Sequence, residues 1–176
     1  MRLVNCARGR GQESCCWAKS VYGWQIFSQV GQAAAAPSRR RFRAASVLAS
    51  QEAVKHFGTS GGSIINSSSI VSTLAPANIS VYSATKAAVD AVTKSLAKEL
   101  GPRHIRVNAI NPGMAETEGT HAAGITESAM RKQTEAQTPL GRIGQPQDIA
   151  PAAVFLASTD AAWITGETLL IAGGLR

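Results

Sequence analysis

The sequence lacks any apolar run that approaches the roughly 20 residues of a membrane-spanning helix. We therefore predict no membrane partner for this chain. Cysteine is scarce as well, because all three cysteines lie within the first 16 residues and two of them are adjacent. An odd number of clustered cysteines argues against a disulfide framework. Residues 46–176 contain no cysteine, which indicates a reduced, cytoplasmic protein.

Acidic side chains are almost absent from residues 1–45, where Glu13 stands beside eight lysine and arginine residues. This segment alone accounts for the net charge of +7. The remaining 131 residues carry ten basic and ten acidic side chains and are neutral. The net positive charge is therefore not a property of residues 46–176, and we predict no nucleic-acid partner. No metal site is predicted either.

Residues 1–45 show no steady helical or strand period, and "QAAAAPSRRRFRAA" is low in complexity. Three interpretations are open. The segment is a transit peptide, rich in arginine and serine, or a basic tail for nucleic acid or membranes. The third interpretation, which we favour, is sequence that is not the natural start of this fold, joined by a frame change or a misplaced start. We expect the segment to be irregular.

From residue 46 onward the pattern alternates between helices and strands. The predicted helices are "SVLASQEAVKHFG", which stops at a glycine, and the segments 80–100, 126–137 and 145–158. The predicted strands are "GGSII", "HIRVNAIN" and "GETLLIAGG". This alternation predicts an α/β fold with a parallel sheet and right-handed crossovers. Sites in such sheets lie at the carboxyl ends of the strands, here at residues 67–69 and 111–117.

Tyr82 and Lys86 are four residues apart in a predicted helix, so both lie on one face. A cation close to a phenol favours the phenolate form. The pair is therefore a plausible acid and base for a hydroxyl or carbonyl substrate. Ser69 precedes Tyr82 by thirteen residues and lies at a predicted strand end, where its hydroxyl could hold the same substrate oxygen. In isolation, such a pair more often marks a half-exposed tyrosine beside a surface lysine.

The surrounding motifs give the pair more weight. They are "GGSIINSSSIVS", "VYSATKAAVDAVTKSLAKEL", "GPRHIRVNAINPGMAETEGT", "PLGRIGQPQDIA" and "FLASTDAAWITGETLLIAGG". In this order and spacing, the sequence resembles the classical short-chain dehydrogenase/reductase family. The resemblance covers residues 46–176 and is greatest to the 3-oxoacyl-carrier-protein reductase and glucose 1-dehydrogenase group. It implies the C-terminal part of a Rossmann-like, doubly wound parallel sheet, with the N-terminal nucleotide-binding half missing.

The resemblance also implies a role for each matching residue. Tyr82 matches the catalytic tyrosine that donates or accepts the proton. Lys86 matches the lysine that favours the ionised tyrosine and binds the nicotinamide ribose. Ser69 matches the serine that positions the substrate. The implied activity is an NAD(P)-dependent interconversion of a hydroxyl and a carbonyl on a small molecule, carried out by a homo-oligomer.

A second group of residues matches the loop that closes on the cofactor. Asn111, Pro112 and Gly113 correspond to its Asn-Pro-Gly motif, and Thr117 corresponds to the threonine that contacts the carboxamide or the diphosphate. The bland interpretation of Pro112 and Gly113 is a simple turn. For Thr117 it is a helix N-cap.

The sequence departs from the family pattern in its first part. It contains no Thr-Gly-x-x-x-Gly-x-Gly turn of the kind that lets a backbone approach a pyrophosphate. The position of the family's catalytic asparagine falls near Phe42, in the unmatched segment. Ala172 and Ala115 are milder departures. Without a replacement for the missing half, the inner edge of the three-stranded sheet would be exposed and the fold marginal.

Three functional interpretations follow. The chain is an oxidoreductase of the family, or a truncated remnant that does not bind cofactor. Alternatively, it is an interaction module that pairs with a full-length relative through the helices at 47–57 and 80–100. The substrate remains open because the segment 118–138, which would cover it, varies freely in such folds. The choice between NAD and NADP also remains open.

Overall fold

A computed structural model describes the backbone of residues 2–3, 15–20, 23–29 and 39–176, and the side chains of residues 46–176 except residue 126. The strands are β1 (Arg2–Leu3), β2 (Cys15–Ser20), β3 (Gly23–Gln29), β4 (Gly62–Ser67), β5 (Ile105–Pro112) and β6 (Thr168–Ile171). The helices are α1 (Arg39–His56), α2 (Val71–Leu74), α3 (Ser80–Leu100), α4 (Glu118–Ala122), α5 (Ala129–Gln137) and α6 (Pro146–Ala157). Short 3₁₀ turns cover Gly101–Arg103, Ile125–Glu127 and Thr159–Ala161.

The strands form one sheet in the order β1-β2-β3-β4-β5-β6. The pairs β1/β2 and β2/β3 are antiparallel, whereas β3, β4, β5 and β6 run parallel. Helix α1 connects β3 to β4, α3 connects β4 to β5, and α6 precedes β6. The predicted α/β fold with a parallel sheet is therefore confirmed, and its parallel strands end at a common edge.

The first part of the chain corrects the expectation of an irregular segment. Strands β2 and β3 lie within residues 1–45, and β3 pairs in parallel with β4. The expectation that the inner edge of β4 is exposed is therefore wrong. These strands contain three aromatic residues, Trp17, Trp24 and Phe27, which favour strands, but their sequence lacks the regular alternation that would have revealed them. The division of the chain at residue 45 stays a prediction.

Helix α1 begins earlier than the sequence indicates. It starts at Arg39 and runs without a break through residue 45, so the position near Phe42 that corresponds to the family's asparagine lies in a helix. Arginine and alanine are good helix formers, which explains why a basic, low-complexity stretch continues the helix. The other predicted elements agree within a few residues. Pro151 lies in the second turn of α6.

Two aliphatic clusters pack on opposite faces of the sheet. Ile64 and Ile65 are neighbours on β4 and point to different faces, as expected for a strand with both faces covered. Ile64 packs with residues of α1, α3 and β5, and Ile65 packs with residues of β5 and α6. The sheet is therefore anchored from both sides, and the carboxyl ends of β4 and β5 are held firmly in place. None of the helices in the described residues is long and apolar enough to cross a membrane.

Candidate active site

Helix α3 carries the two residues that the sequence singled out. It is rich in alanine, which has the highest helix propensity, and it turns one polar stripe inward. Tyr82 is half-buried, whereas the side chain of Lys86 is only 4% exposed. Lys86 Nζ lies 5.8 Å from the centroid of the Tyr82 ring. The predicted sharing of one helix face by Tyr82 and Lys86 is thus confirmed by the geometry.

The ammonium group of Lys86 is tied to the end of β4. Lys86 Nζ donates to the carbonyl oxygen of Ser67 at 3.0 Å, and Ser68 Oγ donates to the carbonyl oxygen of Lys86 at 3.1 Å. Burial disfavours the charged form and lowers the pKa of Lys86 to about 8, while the carboxylate of Asp90 partly opposes this shift. Lys86 is therefore mostly charged at neutral pH, but it loses its proton at a lower pH than an exposed lysine does.

Ser69 lies two residues beyond the end of β4 and is half-buried. Ser69 Oγ accepts a weak hydrogen bond from the backbone N–H of Val71 at 3.4 Å, and its carbonyl oxygen accepts from the N–H of Ser72 at 3.0 Å. The β4 end that binds Lys86 through Ser67 therefore also presents Ser69. The hydroxyl keeps its proton available for a further acceptor, since its recorded contact with Val71 uses only a lone pair.

Asn111, near the end of β5, forms a buried polar node. Its side-chain Nδ2 lies 3.0 and 3.2 Å from the two carboxylate oxygens of Asp90 and 3.1 Å from Ser72 Oγ. It also lies 3.4 Å from the carbonyl oxygen of Ser69. Asn111 Oδ1 is buried and has no hydrogen-bond partner among the described residues. A buried oxygen without a donor is costly, so the other contacts of Asn111 must hold its side chain in this orientation.

Sequence reasoning missed Asp90 and Ser72. A signal for Asp90 was present, because it follows Lys86 by four residues and therefore belongs to the same inward stripe of α3 as Tyr82 and Lys86. Its exposure of 9% confirms that this carboxylate is buried. Ser72 had no such signal, because α2 is a single short turn with no visible sequence period.

The Pro112–Gly113 loop is pinned between two segments. The carbonyl oxygen of Pro112 accepts from the N–H of Ile70 at 2.9 Å, and the N–H of Gly113 donates to the carbonyl oxygen of Ile171 at 2.9 Å. A Cβ atom on Gly113 would lie 2.9 Å from the Cβ atom of Ala172, closer than real Cβ contacts allow. Glycine is therefore required here by a close approach of backbones. The interpretation of a simple turn does not account for that constraint.

Thr117 performs a structural task in this structure. It is the N-cap of α4, where its Oγ1 accepts from the N–H of Thr120 at 3.2 Å, and its own N–H donates to Thr120 Oγ1 at 2.8 Å. This reciprocal pair is a capping box. The bland interpretation of Thr117 as an N-cap is thus realised, and its contact with a cofactor stays a prediction.

Open space lies next to the loop. A cavity of about 220 Å³ is lined by Gly113, Leu140 and Ala172, together with Thr138 at the end of the segment predicted to cover a substrate. Arg142 also lines the cavity, where its guanidinium group binds the carboxylate of Asp148. The two contacts of 2.6 and 2.9 Å hold the pKa of Asp148 at about 2.

The residues present fit the nicotinamide end of a dinucleotide. Lys86 has three N–H donors, of which one reaches Ser67, so donors remain for hydroxyl groups. At Gly113 the close approach of Ala172 leaves no room for a side chain, so the backbone of the loop borders the neighbouring cavity directly. For the diphosphate end, the sequence offers no glycine-rich turn of the usual kind.

Comparison with known proteins identifies relatives of this arrangement. A family model described as enoyl-(acyl carrier protein) reductase matches residues 42–176. An uncharacterized oxidoreductase of Methylorubrum extorquens is 55% identical over 130 residues, which cover 74% of this chain and 52% of the relative. A 3-oxoacyl-[acyl-carrier-protein] reductase of Vibrio cholerae is 46% identical over 114 residues, which cover 65% of this chain and 46% of the relative.

A solved structure shows the same fold. The gluconate 5-dehydrogenase of Burkholderia cenocepacia, in complex with NADP and tartrate, superposes with a TM-score of 0.70 and 32% identity. The match covers 80% of this chain and 58% of that protein. The chain spans about half the length of the curated relatives it matches.

Proposed function

The chain belongs to the short-chain dehydrogenase/reductase family, and we propose that it carries the proton-transfer half of an NAD(P)-dependent oxidoreductase. The reaction interconverts a hydroxyl and a carbonyl group on a small molecule. The observation that supports this most is the buried ammonium of Lys86, held 5.8 Å from the Tyr82 ring at the carboxyl end of β4. Burial of a charge at that position lowers stability, and such costs cluster at functional sites.

Tyr82 exchanges the proton with the substrate oxygen. In the reduction direction its hydroxyl donates a proton to the oxygen of the former carbonyl group, and in the oxidation direction its oxygen accepts that proton. Lys86 places a positive charge beside the ring, which stabilises the negative oxygen that forms when the proton leaves. Ser69 Oγ donates a hydrogen bond to the same substrate oxygen and so fixes the orientation of the substrate.

A bound nicotinamide cofactor supplies or accepts the hydride. The residues of this chain that would hold it are Tyr82, Lys86, Asn111, Pro112, Gly113 and Thr117. Relatives support a nicotinamide cofactor, since the similar gluconate 5-dehydrogenase is a complex with NADP. We propose NAD or NADP for this chain, a homo-oligomeric assembly and a cytoplasmic location.

A titration of the purified chain with NADH and NADPH, followed by cofactor fluorescence after circular dichroism has confirmed folding, tests this proposal. We expect saturable binding with a micromolar Kd. Lys86→Met is expected to weaken binding, whereas Lys94→Met, an exposed lysine on the same helix, leaves the Kd unchanged.

The alternatives predict different outcomes in the same experiment. A non-catalytic remnant shows no saturation up to millimolar cofactor while folded. An interaction module shows no saturation either, but it co-elutes with a full-length relative in gel filtration through α1 and α3. Either result would contradict the oxidoreductase proposal for this chain on its own.

A further inference from the structure

We propose that Asp90 is a positioning residue that fixes the side chain of Asn111, and thereby joins the helix of Tyr82 and Lys86 to the Asn111–Gly113 loop. The inference rests on the proposed function for its meaning in catalysis. Its geometric content, however, stands on the contacts of Asp90 alone.

Asp90 is an unusual residue at its position. It lies in the inward stripe of α3 with only 9% of its surface exposed. Buried carboxylates are rare unless they are paired or hydrogen-bonded, because loss of water disfavours the charge. Among the described residues, no lysine, arginine or histidine forms a salt bridge with it. The amide of Asn111 takes that place, with contacts to both carboxylate oxygens.

The amide of Asn111 has more acceptors around it than it has hydrogens. Four oxygens lie within reach of Nδ2, which carries two hydrogens: the two of Asp90, Ser72 Oγ and the carbonyl oxygen of Ser69. The carboxylate is the strongest acceptor of the four because it is charged, and it makes the shortest contact at 3.0 Å. Asp90 therefore decides which way the amide points.

The orientation of the amide has a consequence for Oδ1. With Nδ2 turned to Asp90, Oδ1 is directed away from the carboxylate and remains buried without a partner. The opposite orientation would bring an oxygen against the carboxylate, which is repulsive. Asp90 thus holds the amide of Asn111 in an orientation that leaves Oδ1 buried and unpaired, at a cost that the protein bears continuously.

The same contacts connect three segments of the site. Asp90 belongs to α3, Asn111 belongs to β5 and leads into the pinned Pro112–Gly113 loop, and Ser69 and Ser72 belong to the segment after β4. The negative charge of Asp90 also offsets the burial of Lys86 one helical turn away, and so helps to keep that lysine charged. Loss of Asp90 would therefore weaken the contacts that hold the Asn111–Gly113 loop. It would also lower the pKa of Lys86, so that this lysine loses its proton at a lower pH.

The first test is Asp90→Asn, which keeps the shape of the side chain and removes its charge. We expect the backbone N–H of Gly113 to exchange with deuterium at least about tenfold faster, since charged hydrogen bonds are roughly twice as strong as neutral ones. Because the carboxylate of Asp90 partly opposes the effect of burial on the pKa of Lys86, the NMR titration midpoint of Lys86 should be lower in the variant than in the native protein. This midpoint reports the loss of the charge, whereas exchange at Gly113 reports the contact between Asp90 and Asn111.

Two controls make these readouts specific. Asp160→Asn removes an exposed carboxylate, and Ser72→Ala removes a neutral acceptor of the same amide. Both are expected to leave the Lys86 midpoint unchanged. If Asp90→Asn fails to fold, Asn111→Ala tests the same contact by removing the amide that binds the Asp90 carboxylate. It should speed exchange at Gly113 by at least about tenfold and leave the charge of Lys86 in place.

Unchanged exchange at Gly113 in folded Asp90→Asn would overturn the proposal, whatever the Lys86 midpoint. Unchanged exchange in Asn111→Ala would overturn it as well. Neither readout requires cofactor or turnover, so a failure here is distinct from a failure of the proposed oxidoreductase function. If the chain binds NADPH, Asp90→Asn should in addition raise the Kd at least tenfold, with Asp160→Asn as the unaffected control.

Discussion

The two halves of α3 use the same kind of sequence for different purposes. The first half, residues 80–90, buries Ser83, Lys86, Val89 and Asp90, whereas the second half, residues 91–100, buries Thr93 and Ala97 and leaves its lysines exposed. Both halves are rich in alanine, so helix propensity does not explain the contrast. The difference is that the first half faces the carboxyl ends of β4 and β5, while Ala97 packs in an aliphatic cluster. Buried charge thus marks the half of α3 that we propose to serve the reaction.

The largest expected effect comes from Tyr82→Phe in the first half. Removal of the hydroxyl eliminates the proton donor and should lower kcat by about 10²–10⁴-fold, the usual contribution of a general acid or base. The ring remains, so the midpoint of thermal unfolding should stay the same. Steady-state kinetics with a carbonyl substrate and a thermal melt check both statements. A variant with full activity would remove Tyr82 from the mechanism.

Lys86→Met should change how stability depends on pH. The folded pKa of about 8 lies below the reference value of 10.5, so between these values the unfolded chain binds more protons than the folded chain. The stability of the native protein should therefore rise with pH across this window, by up to about 3 kcal/mol, and the burial cost is fully present below pH 8. Lys86→Met should lack this rise.

Urea unfolding at pH 7 and at pH 10 measures that difference. Lys94→Met is the matched control, because its parent lysine is exposed and should leave the pH dependence of the native protein intact. An identical pH dependence in native protein and Lys86→Met would show that the buried ammonium carries no such cost.

Ala97→Leu tests the second half of α3. Ala97 is 5% exposed and packs with Ala53, Phe57 and Ile64, so a larger side chain should overpack the cluster and destabilise the protein by about 1–3 kcal/mol. Lys98→Leu places the same side chain at the next, exposed position as a control. Denaturant unfolding gives the stability, and cofactor titration should give an unchanged Kd. A large loss of affinity with normal stability would contradict the division of the helix.

The smallest expected effect concerns Thr117, outside α3. Thr117→Ala removes the N-cap of α4 and should cost about 1 kcal/mol of stability, whereas Thr117→Ser keeps the capping hydroxyl. Denaturant unfolding of both variants tests the cap. If Thr117→Ala lowers cofactor affinity much more than Thr117→Ser does at equal stability, the hydroxyl also contacts the cofactor.

Several features of the fold could be predicted from the sequence because they depend on local periodicity. The spacing of Tyr82 and Lys86 and the strand ends at Ser67 and Asn111 follow from helix and strand periods. The pairing of β3 with β4 could not be predicted, because the two strands are separated by a helix and local periodicity does not identify the partner of a strand.

The spacing of Lys86 and Asp90 places both on one face of α3, but the contact of Asp90 with Asn111 could not be predicted from the sequence. An aspartate in an alanine-rich helix ordinarily faces water, and only the packing of α3 against β5 brings Asp90 within 3.0 Å of Asn111. The requirement for glycine at position 113 is similar in origin. It arises from the approach of Ala172, which follows β6 and is distant in sequence. Contacts between remote segments, and not local preferences, create these constraints.

The most direct test of the account is hydride transfer itself. The purified chain is incubated with NADH or NADPH deuterated at C4 on either face and with a panel of carbonyl compounds that includes a 3-oxoacyl thioester. The products are then analysed by mass spectrometry. The account predicts that one deuterium appears on the carbon of the new hydroxyl group, and that Tyr82→Phe abolishes the transfer. A folded chain that binds the cofactor yet leaves all deuterium on it, with every carbonyl compound, would contradict the account.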